Sequence, residues 1–523
     1  MQNNTILSKF SLLLILSLFM VCTAFSQQDP VVQRIIEIGK TDNQTMQHLD
    51  ILTNRIGGRP VGSSNYETAV EWAKREFEKW GMDVIIHETD ILPVGFNRGP
   101  WFGKLISDNT TISTLDFATP SYTVGTKGVQ RGHVLIEPKT EKEFNRMKSK
   151  LKGAWVLISG KNDGWPIDYS AKGDALRDSI IAKNNLIEIE NEKIRLHNRA
   201  NRDEKSQKEY LPLIEEPALF YKQMVDAGIL GIVQSSPTPI TALYDRKNID
   251  NMSWETLPQV PDIKLNEHQF KVIEQMAQER QYFQMEFEIR NNFRLGPIPY
   301  HTVIGVIRGS EFPDEYVVMG GHLDSYDAAT GSSDNGSGVA PAMEAARLIM
   351  KSGGKPKRSI LVCLWSGEEF GLLGSQAWVR DNKDKLNKIS AMFNRDGGPR
   401  VPISVHVPKA MLSDFEKICE PIVNINPEFS FAVEEIEPRV KPTSMRGTDS
   451  TPFLMEGVPL ISIRTEDPKG YDFNYGEIWH TTRDTYEKCP ADYMEHTSIV
   501  TAVLVYGVAN LDHLLSRDGY FVP

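Results

Sequence analysis

Five residues in the second half of the chain have side chains that could bind metal ions together. Two are imidazoles and three are carboxylates: His322, Asp334, Glu369, Asp396 and His480. Such a set of nitrogen and oxygen ligands suits Zn²⁺ and some other divalent ions. Two divalent ions, three carboxylates and one hydroxide would carry no net charge together, which suits a partly buried site. The residue types therefore predict a metal centre.

Each of these residues also has an ordinary explanation. A histidine after a strand is commonly a hydrogen-bonded loop residue, Glu368-Glu369 could be surface charge, and Asp334-Asn335-Gly336 could be a simple turn. Their shared placement favours a site, because the apolar runs 316–320, 359–365 and 390–393 end a few residues before three of them. Strand carboxyl ends open onto the binding crevice of an open α/β sheet, so we expect these side chains to meet there.

The elements around these residues predict an α/β fold. From Tyr300 onward apolar strands alternate with helical segments, which is typical of a largely parallel sheet with helices on its faces. Between about Val124 and Arg294 the pattern changes to short strands without a cluster of potential metal ligands. We therefore predict a catalytic domain in two parts, 27–123 and 295–523, interrupted by a β-rich insert, 124–294.

Within this insert, residues 174–211 contain neither glycine nor proline and are dense in Lys, Arg and Glu. This composition predicts a solvated helix or helical pair. A long insertion that supplies no ligands often acts as a lid, so one interpretation is a cap that restricts the crevice to short substrates. A solvated arm or a dimer contact is the alternative, and both interpretations stay open.

Composition excludes several classes of protein. The chain has 523 residues, a net charge of −11 and no long run of Lys or Arg, which argues against nucleic-acid binding. Hydrophobic residues make up 40% and charged residues 24%, as in a globular protein rather than a disordered or fibrous one. Four cysteines are too few for a disulfide scaffold, and the apolar run around Cys363 predicts a buried thiol.

The N-terminus indicates export. Lys9 precedes the apolar run 10–25, and Ala24-Phe25-Ser26 provides small residues for cleavage. This order is typical of a secretory signal peptide over residues 1–26. A membrane anchor is the alternative, although the run is short for a spanning helix. We therefore predict a secreted or periplasmic protein without a membrane span after cleavage.

Five motifs, in their order along the chain, resemble a known family. HLDS, SDNGSG, WSGEEFGLLGS, NRD and WHTTRDT are similar to the zinc exopeptidase family of bacterial leucyl aminopeptidase and glutamate carboxypeptidase. The segments RPVGSSNYETAVEWA from Arg59 and GTDSTPFLMEGVPLISI from Gly447 make the plasma glutamate carboxypeptidase branch the most similar one. The middle segment resembles a protease-associated domain. The resemblance implies a mixed, mostly parallel sheet flanked by helices.

The resemblance also implies two Zn²⁺ per chain. It divides the ligands into one bridge and two pairs: Asp334 between the ions, His322 with Asp396 on one, and Glu369 with His480 on the other. Family members have a cis peptide bond after the bridging aspartate, which here is Asp334-Asn335.

Two further carboxylates receive roles from the same resemblance. Asp324 would orient His322 through its other ring nitrogen, and Glu368 would be the general base. The implied reaction is the hydrolysis of terminal peptide bonds in short peptides or dipeptides, by attack of a metal-bridging hydroxide. An aminopeptidase or dipeptidase is favoured over a carboxypeptidase.

Several alternatives stay open. A glutaminyl-cyclase-like acyl transfer would use a single zinc, and a receptor-like relative would bind none; the complete ligand set argues against both. Arg395 and Arg446 could bind a substrate carboxylate or form ordinary ion pairs. The donor to the oxyanion is unassigned among Tyr471, Tyr475 and Tyr486. We expect peptide substrates and no nucleic acid, and we leave a homodimer open.

Overall fold

The computed structural model describes residues 29–160, 162–201, 203–471 and 474–522. The predicted signal peptide, residues 1–26, lies outside this part of the chain. Among the described residues, no helix has both the length and the apolar composition that a membrane span requires. Cys363, Cys419 and Cys489 are buried free thiols, as predicted for Cys363.

The described residues form 16 strands and 13 α-helices. The strands are β1 (Asp83–Asn97), β2 (Trp101–Ser107), β3 (Thr110–Thr114), β4 (Phe117–Ala118), β5 (Gln130–Ile136), β6 (Ala154–Ile158), β7 (Gly231–Ser236), β8 (Asp262–Asn266), β9 (Gln284–Ile289), β10 (Asn292–Ile307), β11 (Phe312–His322), β12 (Arg358–Trp365), β13 (Ile389–Asn394), β14 (Val401–Val407), β15 (Ala432–Glu435) and β16 (Ser462–Glu466). The helices are α1 (Pro30–Thr41), α2 (Thr45–Asp50), α3 (Ser64–Lys79), α4 (Glu141–Leu151), α5 (Ala171–Ala200), α6 (Tyr221–Asp226), α7 (Arg246–Asp250), α8 (Glu267–Gln278), α9 (Ser337–Lys351), α10 (Leu373–Asp381), α11 (Leu412–Cys419), α12 (Ser450–Met455) and α13 (Ala491–Ala509).

The first sheet positions the predicted ligands and has the strand order β1-β10-β12-β11-β13. β10 is antiparallel to β1 and β12, whereas β11 is parallel to β12 and β13. Alternate residues of β12 enter two apolar clusters, one with α9 and α13 and the other with α10 and α12. Every residue of β12 is buried because both faces are covered, which explains its unbroken apolar sequence. The predicted α/β class with a mixed sheet is confirmed.

The second sheet has the order β3-β2-β9-β5-β6-β7-β8-β4, with β5 to β8 parallel. Its faces pack into two apolar clusters of their own. The chain enters and leaves this sheet through the β1–β10 ribbon, which is paired from Asp83↔Val306 to Asn97↔Asn292. β2 to β4 precede residue 124, so the sheet begins earlier than the predicted insert. The domain bounds stay a prediction.

The charged segment 174–211 lies mostly in one long helix. α5 has 30 residues and is followed by the short 3₁₀ turn Glu204–Ser206. The chain then runs back along the helix in an extended segment, residues 208–214, called here the return segment. The prediction of a helix therefore holds for its first part, while the second part is extended rather than a second helix.

Candidate metal centre

The parallel strands bring three predicted ligands to one edge of the first sheet. His322 is the last residue of β11, Glu369 follows β12, and Asp396 follows β13. Because β12 and β13 flank β11 in the same direction, their loops leave at the same edge. Asp334 comes from the turn Ser332–Gly336 before α9, in which its own dihedral angles are not helical, and His480 follows the 3₁₀ turn Tyr475–Glu477.

Two glycines allow these segments to approach closely. A Cβ atom at Gly338 would lie 2.3 Å from the main-chain oxygen of Arg395, and one at Gly321 would lie 2.7 Å from the same atom. Both distances are shorter than any real Cβ contact, so a larger residue would push β11 or α9 away from the end of β13. Glycine at these positions therefore keeps the ligands of different elements together.

The five predicted ligands form two triads that share Asp334. Nε2 of His322 lies 3.1 Å from Oδ1 of Asp334 and 3.6 Å from Oδ1 of Asp396. Nε2 of His480 lies 3.1 Å from Oδ2 of Asp334 and 3.1 Å from Oε2 of Glu369. Each carboxylate oxygen of Asp334 thus faces a different histidine. The peptide bond Asp334-Asn335 is cis, as the resemblance implies.

Unpaired buried atoms indicate what these triads fit. The Nδ1 atom of His322 lies 3.0 Å from the main-chain oxygen of Asp324, a contact in which the ring donates. In a neutral ring, Nε2 then carries a lone pair. Among the described residues Nε2 of His322 and Oε1 of Glu369 have no hydrogen-bond partner although both are buried. A lone pair that faces carboxylate oxygens requires a positive charge between them, so the residues present fit a divalent cation.

The pKa values of the site report the same excess of negative charge. Burial disfavours charged imidazoles, but the facing carboxylates outweigh it and raise the pKa of His480 to about 10. The pKa of His322 is raised well above its ordinary value for the same reason. Burial and then the charge of Asp334 raise the pKa of Glu369 to about 7. Burial acts against ionised Asp334, yet the two facing histidines hold its pKa below its usual range.

Asp324 is fully buried and holds the loop after β12. Its two carboxylate oxygens accept the main-chain N–H groups of Glu368 and Glu369 at 3.2 and 3.3 Å. Oδ1 of Asp324 lies 3.7 Å from Nδ1 of His322, beyond hydrogen-bond distance. The main-chain oxygen of Asp324, rather than its carboxylate, makes the hydrogen bond to His322.

Asp484 holds the turn that carries Asp334. It accepts the N–H groups of Ser333 and Asp334 at 2.5 and 3.1 Å. Burial, opposed by these two hydrogen bonds, raises the pKa of Asp484 to about 7. Because the contact goes to the main chain beside Asp334, Asp484 fixes where that carboxylate points.

Arg59 links the loop after β11 to the turn that carries Asp334, a role that sequence analysis did not assign. Its side chain is fully buried and donates to main-chain oxygens of Leu323, Gly57, Thr330 and Gly331. Burial lowers the pKa of Arg59 to about 10, while Asp484 and Asp324 favour its charge. Arg59 therefore ties the residue after His322 to the segment that leads into Asp334.

Glu368 is half-buried and lines a cavity of about 730 Å³ together with Glu369 and His480. Burial, opposed by His322 and reinforced by Glu369, raises the pKa of Glu368 to about 10. A cavity of this size suits a small ligand. Glu368 is therefore placed beside both triads without belonging to either.

The opposite wall of this cavity comes from loops that follow β6 and β7 of the second sheet. The residues of these loops that line it are Asn162, Asp163, Trp165, Pro237, Thr238, Pro239, Thr241 and Leu243. The N–H of Thr482 donates to the oxygen of Ile240 at 2.9 Å, and Thr241 bridges to Thr481, so this wall is held next to His480. Sequence analysis missed it because Gly-Trp-Pro and Pro-Thr-Pro signal turns rather than chemistry. None of the described residues 171–214 is in this lining, so the cap interpretation gains no support.

Other predicted candidates take different positions. Arg395 is held by main-chain oxygens of Ser337, Gly398 and Arg400, which is a structural role. Tyr471 donates to Asp492. For Tyr475, burial and then the charges of Asp334 and Asp396 raise the pKa, so this ring lies in the field of both triads.

Comparison with known proteins agrees with this geometry. Residues 302–505, which contain all five predicted ligands, match the sequence profile of peptidase family M28. Over 516 residues the chain is 22% identical to carboxypeptidase Q of Xenopus laevis, covering 95% of this chain and 93% of that protein. Two solved structures are similar in fold. The peptidase M28 precursor of Shewanella amazonensis has a TM-score of 0.56 and 21% identity, covering 93% of this chain and 97% of that chain. The zinc aminopeptidase BSAP of Bacillus subtilis has a TM-score of 0.51 and 14% identity, covering 92% and 97%.

These similarities define a metallopeptidase with an α/β fold. The segment that carries the site is similar to peptidase family M28, and the chain is a hydrolase of peptide bonds.

Proposed function

We propose that this protein is a dizinc exopeptidase that removes a terminal residue from short peptides or splits dipeptides. The observation that carries the proposal is the pair of triads that share Asp334. In this arrangement His322, Asp334 and Asp396 would hold one Zn²⁺, and Asp334, Glu369 and His480 the other. The similar aminopeptidase of Bacillus subtilis is a zinc enzyme, which supports the choice of zinc.

Bound zinc would supply Lewis acid chemistry, polarising the peptide carbonyl and lowering the pKa of a water molecule. The residues of the chain manage the proton. Glu368 lies beside Glu369 and His480 without being a ligand, so it can take a proton from water and return it to the leaving amine. Positive charge next to Glu368 would lower its raised pKa, which makes the carboxylate available as a base.

The cavity supports a short substrate with a free amino end. Its described lining contains Asp163, Glu368 and Glu369 and neither Lys nor Arg, which suits an ammonium group better than a carboxylate. Trp165, Met445 and Trp479 are each about half exposed in this lining, and they offer apolar surface to the substrate residue beside the scissile bond. We therefore favour an aminopeptidase or dipeptidase that accepts apolar residues.

Two further assignments accompany this proposal. The N-terminal apolar segment supports export to a secreted or periplasmic location, after removal of residues 1–26. The second sheet, with its own core and its loops on the cavity, supports an inserted domain of the protease-associated kind that includes residues 124–294 and begins earlier, with β2.

The experiment has two measurements. Protein stripped with a chelator is titrated with Zn²⁺, and metal is counted by plasma emission spectroscopy; two zinc per chain are expected. Hydrolysis of a dipeptide with a free amino group is then compared with its N-acetylated form, and only the free form should be cut. One zinc per chain would favour the cyclase-like alternative, no zinc would favour a receptor-like relative, and preference for the acetylated form would indicate a carboxypeptidase.

A further inference from the structure

Helix α5 carries an apolar stripe that the rest of the chain leaves uncovered. Leu186, Ile189 and Leu196 are 66%, 54% and 52% exposed. They belong to a row with alternating spacings of four and three residues, called here the seam: Ala175, Ser179, Ala182, Leu186, Ile189, Lys193, Leu196 and Ala200. Every residue of the seam is exposed. This spacing is the a/d pattern of a coiled coil, with Leu186 at an a position and Ile189 at a d position.

The opposite face of α5 is already occupied. Three asparagines at seven-residue intervals each exchange two hydrogen bonds of 2.7–2.9 Å with the main chain of the return segment, pairing Asn184 with Ile214, Asn191 with Leu211, and Asn198 with Lys208. Seven helical residues advance about 10.5 Å, and three extended residues advance about 10 Å, so the two periods match. The asparagines stand at the heptad position farthest from the seam. The return segment therefore stiffens α5 and leaves the seam facing outward.

We propose that the seam packs against the seam of a second copy of this chain, as an antiparallel coiled coil with two-fold symmetry. Leu186 would face the partner's Ile189, and by symmetry Ile189 would face the partner's Leu186. The same register places Leu196 against the partner's Ser179 and Lys193 against the partner's Ala182. The largest apolar side chains thus meet at the two-fold axis, and small residues accommodate the lysine stem.

Charge selects this register among the alternatives. It places Lys183 beside the partner's Glu190, and Asp178 beside the partner's Arg199, each twice by symmetry; all four side chains are exposed. Sliding the helices by one heptad would place Glu190 against the partner's Glu190, or Lys183 against the partner's Lys183. A parallel pairing would place Lys193 against the partner's Lys193 in the seam. A parallel pairing would also place Asp178 beside the partner's Lys183, so it is the lysine contact in the seam that disfavours it. Among antiparallel registers one heptad apart, only the one described above pairs opposite charges on both flanks.

The first test is the oligomeric state of the full mature chain, measured by sedimentation velocity between 1 and roughly 50 µM, a span that detects micromolar affinity. We expect a dimer for the parent protein and a monomer for the double variant Leu186→Glu/Ile189→Glu. Zinc content and dipeptide turnover should be unchanged, because no described residue of α5 or of the return segment lines the cavity. Val272→Glu is the matched control, since Val272 is 55% exposed on α8, outside the seam. A monomeric parent, or a dimer that survives the double variant, would overturn the proposal.

The second test addresses the register by charge exchange. Lys183→Glu and Glu190→Lys should each weaken the dimer about tenfold, because each creates two like-charge contacts. The combined variant restores opposite charges and should recover the parent affinity. If the combined variant stays as weak as the single ones, the antiparallel register is wrong.

Discussion

The two sheets present the carboxyl ends of parallel strands to the same cavity, but with different chemistry. β11, β12 and β13 lead into imidazoles and carboxylates, whereas β6 and β7 lead into loops that carry Trp165, Pro237 and Leu243. The topological rule that places ligands at strand ends applies to both. One wall, called here the charged wall, therefore offers predicted metal ligands and the proposed base, and the other, the apolar wall, offers apolar surface. The comparison suggests that the first sheet performs the reaction and the second selects the substrate.

The two walls also differ in how firmly they are held. On the charged wall, three buried side chains form hydrogen bonds with main-chain groups of the loops that carry the predicted ligands. They are Asp324, Asp484 and Arg59. On the apolar wall, the loop after β7 is held to the segment of His480 by main-chain contacts at Ile240 and Thr241. Substitutions on the charged wall should therefore lower zinc content or turnover, whereas those on the apolar wall should change which substrates the protein prefers.

The largest effect should come from Asp334→Ala. Each oxygen of Asp334 faces a different histidine, so its loss removes a ligand from both triads. We expect plasma emission spectroscopy to find no dinuclear centre and turnover to fall below detection. His480→Ala is the matched control, because it should lose mainly one metal. Unchanged zinc stoichiometry in the Asp334 variant would refute the bridge.

Glu368→Gln should have the next largest effect. The amide is nearly isosteric with the carboxylate but cannot accept a proton, and loss of general acid–base catalysis lowers turnover by about 10²–10⁴. Both zinc ions should remain, because Glu368 belongs to neither triad. Near-normal turnover at full zinc occupancy would show that another group is the base.

The contrast between the walls also explains what the sequence could predict. His322, Glu369 and Asp396 could be selected because each follows an apolar strand, and the carboxyl ends of strands in an open α/β sheet lie at the binding crevice. Asp334 and His480 come from turns; their residue types put them in the candidate set, but the place of each in the centre was implied only by the motif resemblance. Trp165 and Pro237 carry no such signal, because their contribution lies in shape, and shape appears only when two sheets face each other.

Hydrogen bonds from side chains to main-chain groups could not be predicted from the sequence either. The type and position of Asp324 suggested a contact with His322, yet the local backbone turns its carboxylate toward two amides and its carbonyl toward the ring. The asparagines of α5 could not be linked to the return segment from the sequence. Their partners are main-chain groups, which every residue type carries, so the sequence of that segment gives no sign of the contact. The fold class was predictable from strand and helix alternation, whereas the second sheet begins at Trp101 because β2 pairs with β9, a contact distant in sequence.

A smaller effect on the charged wall is expected from Asp484→Asn. The carboxylate accepts two N–H groups at Ser333 and Asp334, and an amide oxygen cannot replace both contacts. Outer residues of this kind typically change metal affinity about 10–100-fold. Competition with a fluorescent zinc chelator should therefore show weaker binding while the stoichiometry stays at two. Equal zinc affinity in parent and variant would mean that the turn before α9 keeps its position without Asp484.

The smallest effect, and the one that sharpens the comparison most, should come from Trp165→Ala on the apolar wall. The indole is 48% exposed in the cavity lining, so a substrate side chain can cover only part of it. We expect kcat/KM for a phenylalanyl dipeptide to fall about tenfold, or about 1.4 kcal/mol, with little change for an alanyl dipeptide, because a methyl group does not reach this surface. Trp254→Ala is the matched control, since Trp254 is 47% exposed and outside the lining. Zinc affinity should stay at the parent value in both variants. If kcat/KM falls equally for both dipeptides, Trp165 supports the fold of the loop rather than the choice of substrate, and the division between a reacting wall and a selecting wall fails at this residue.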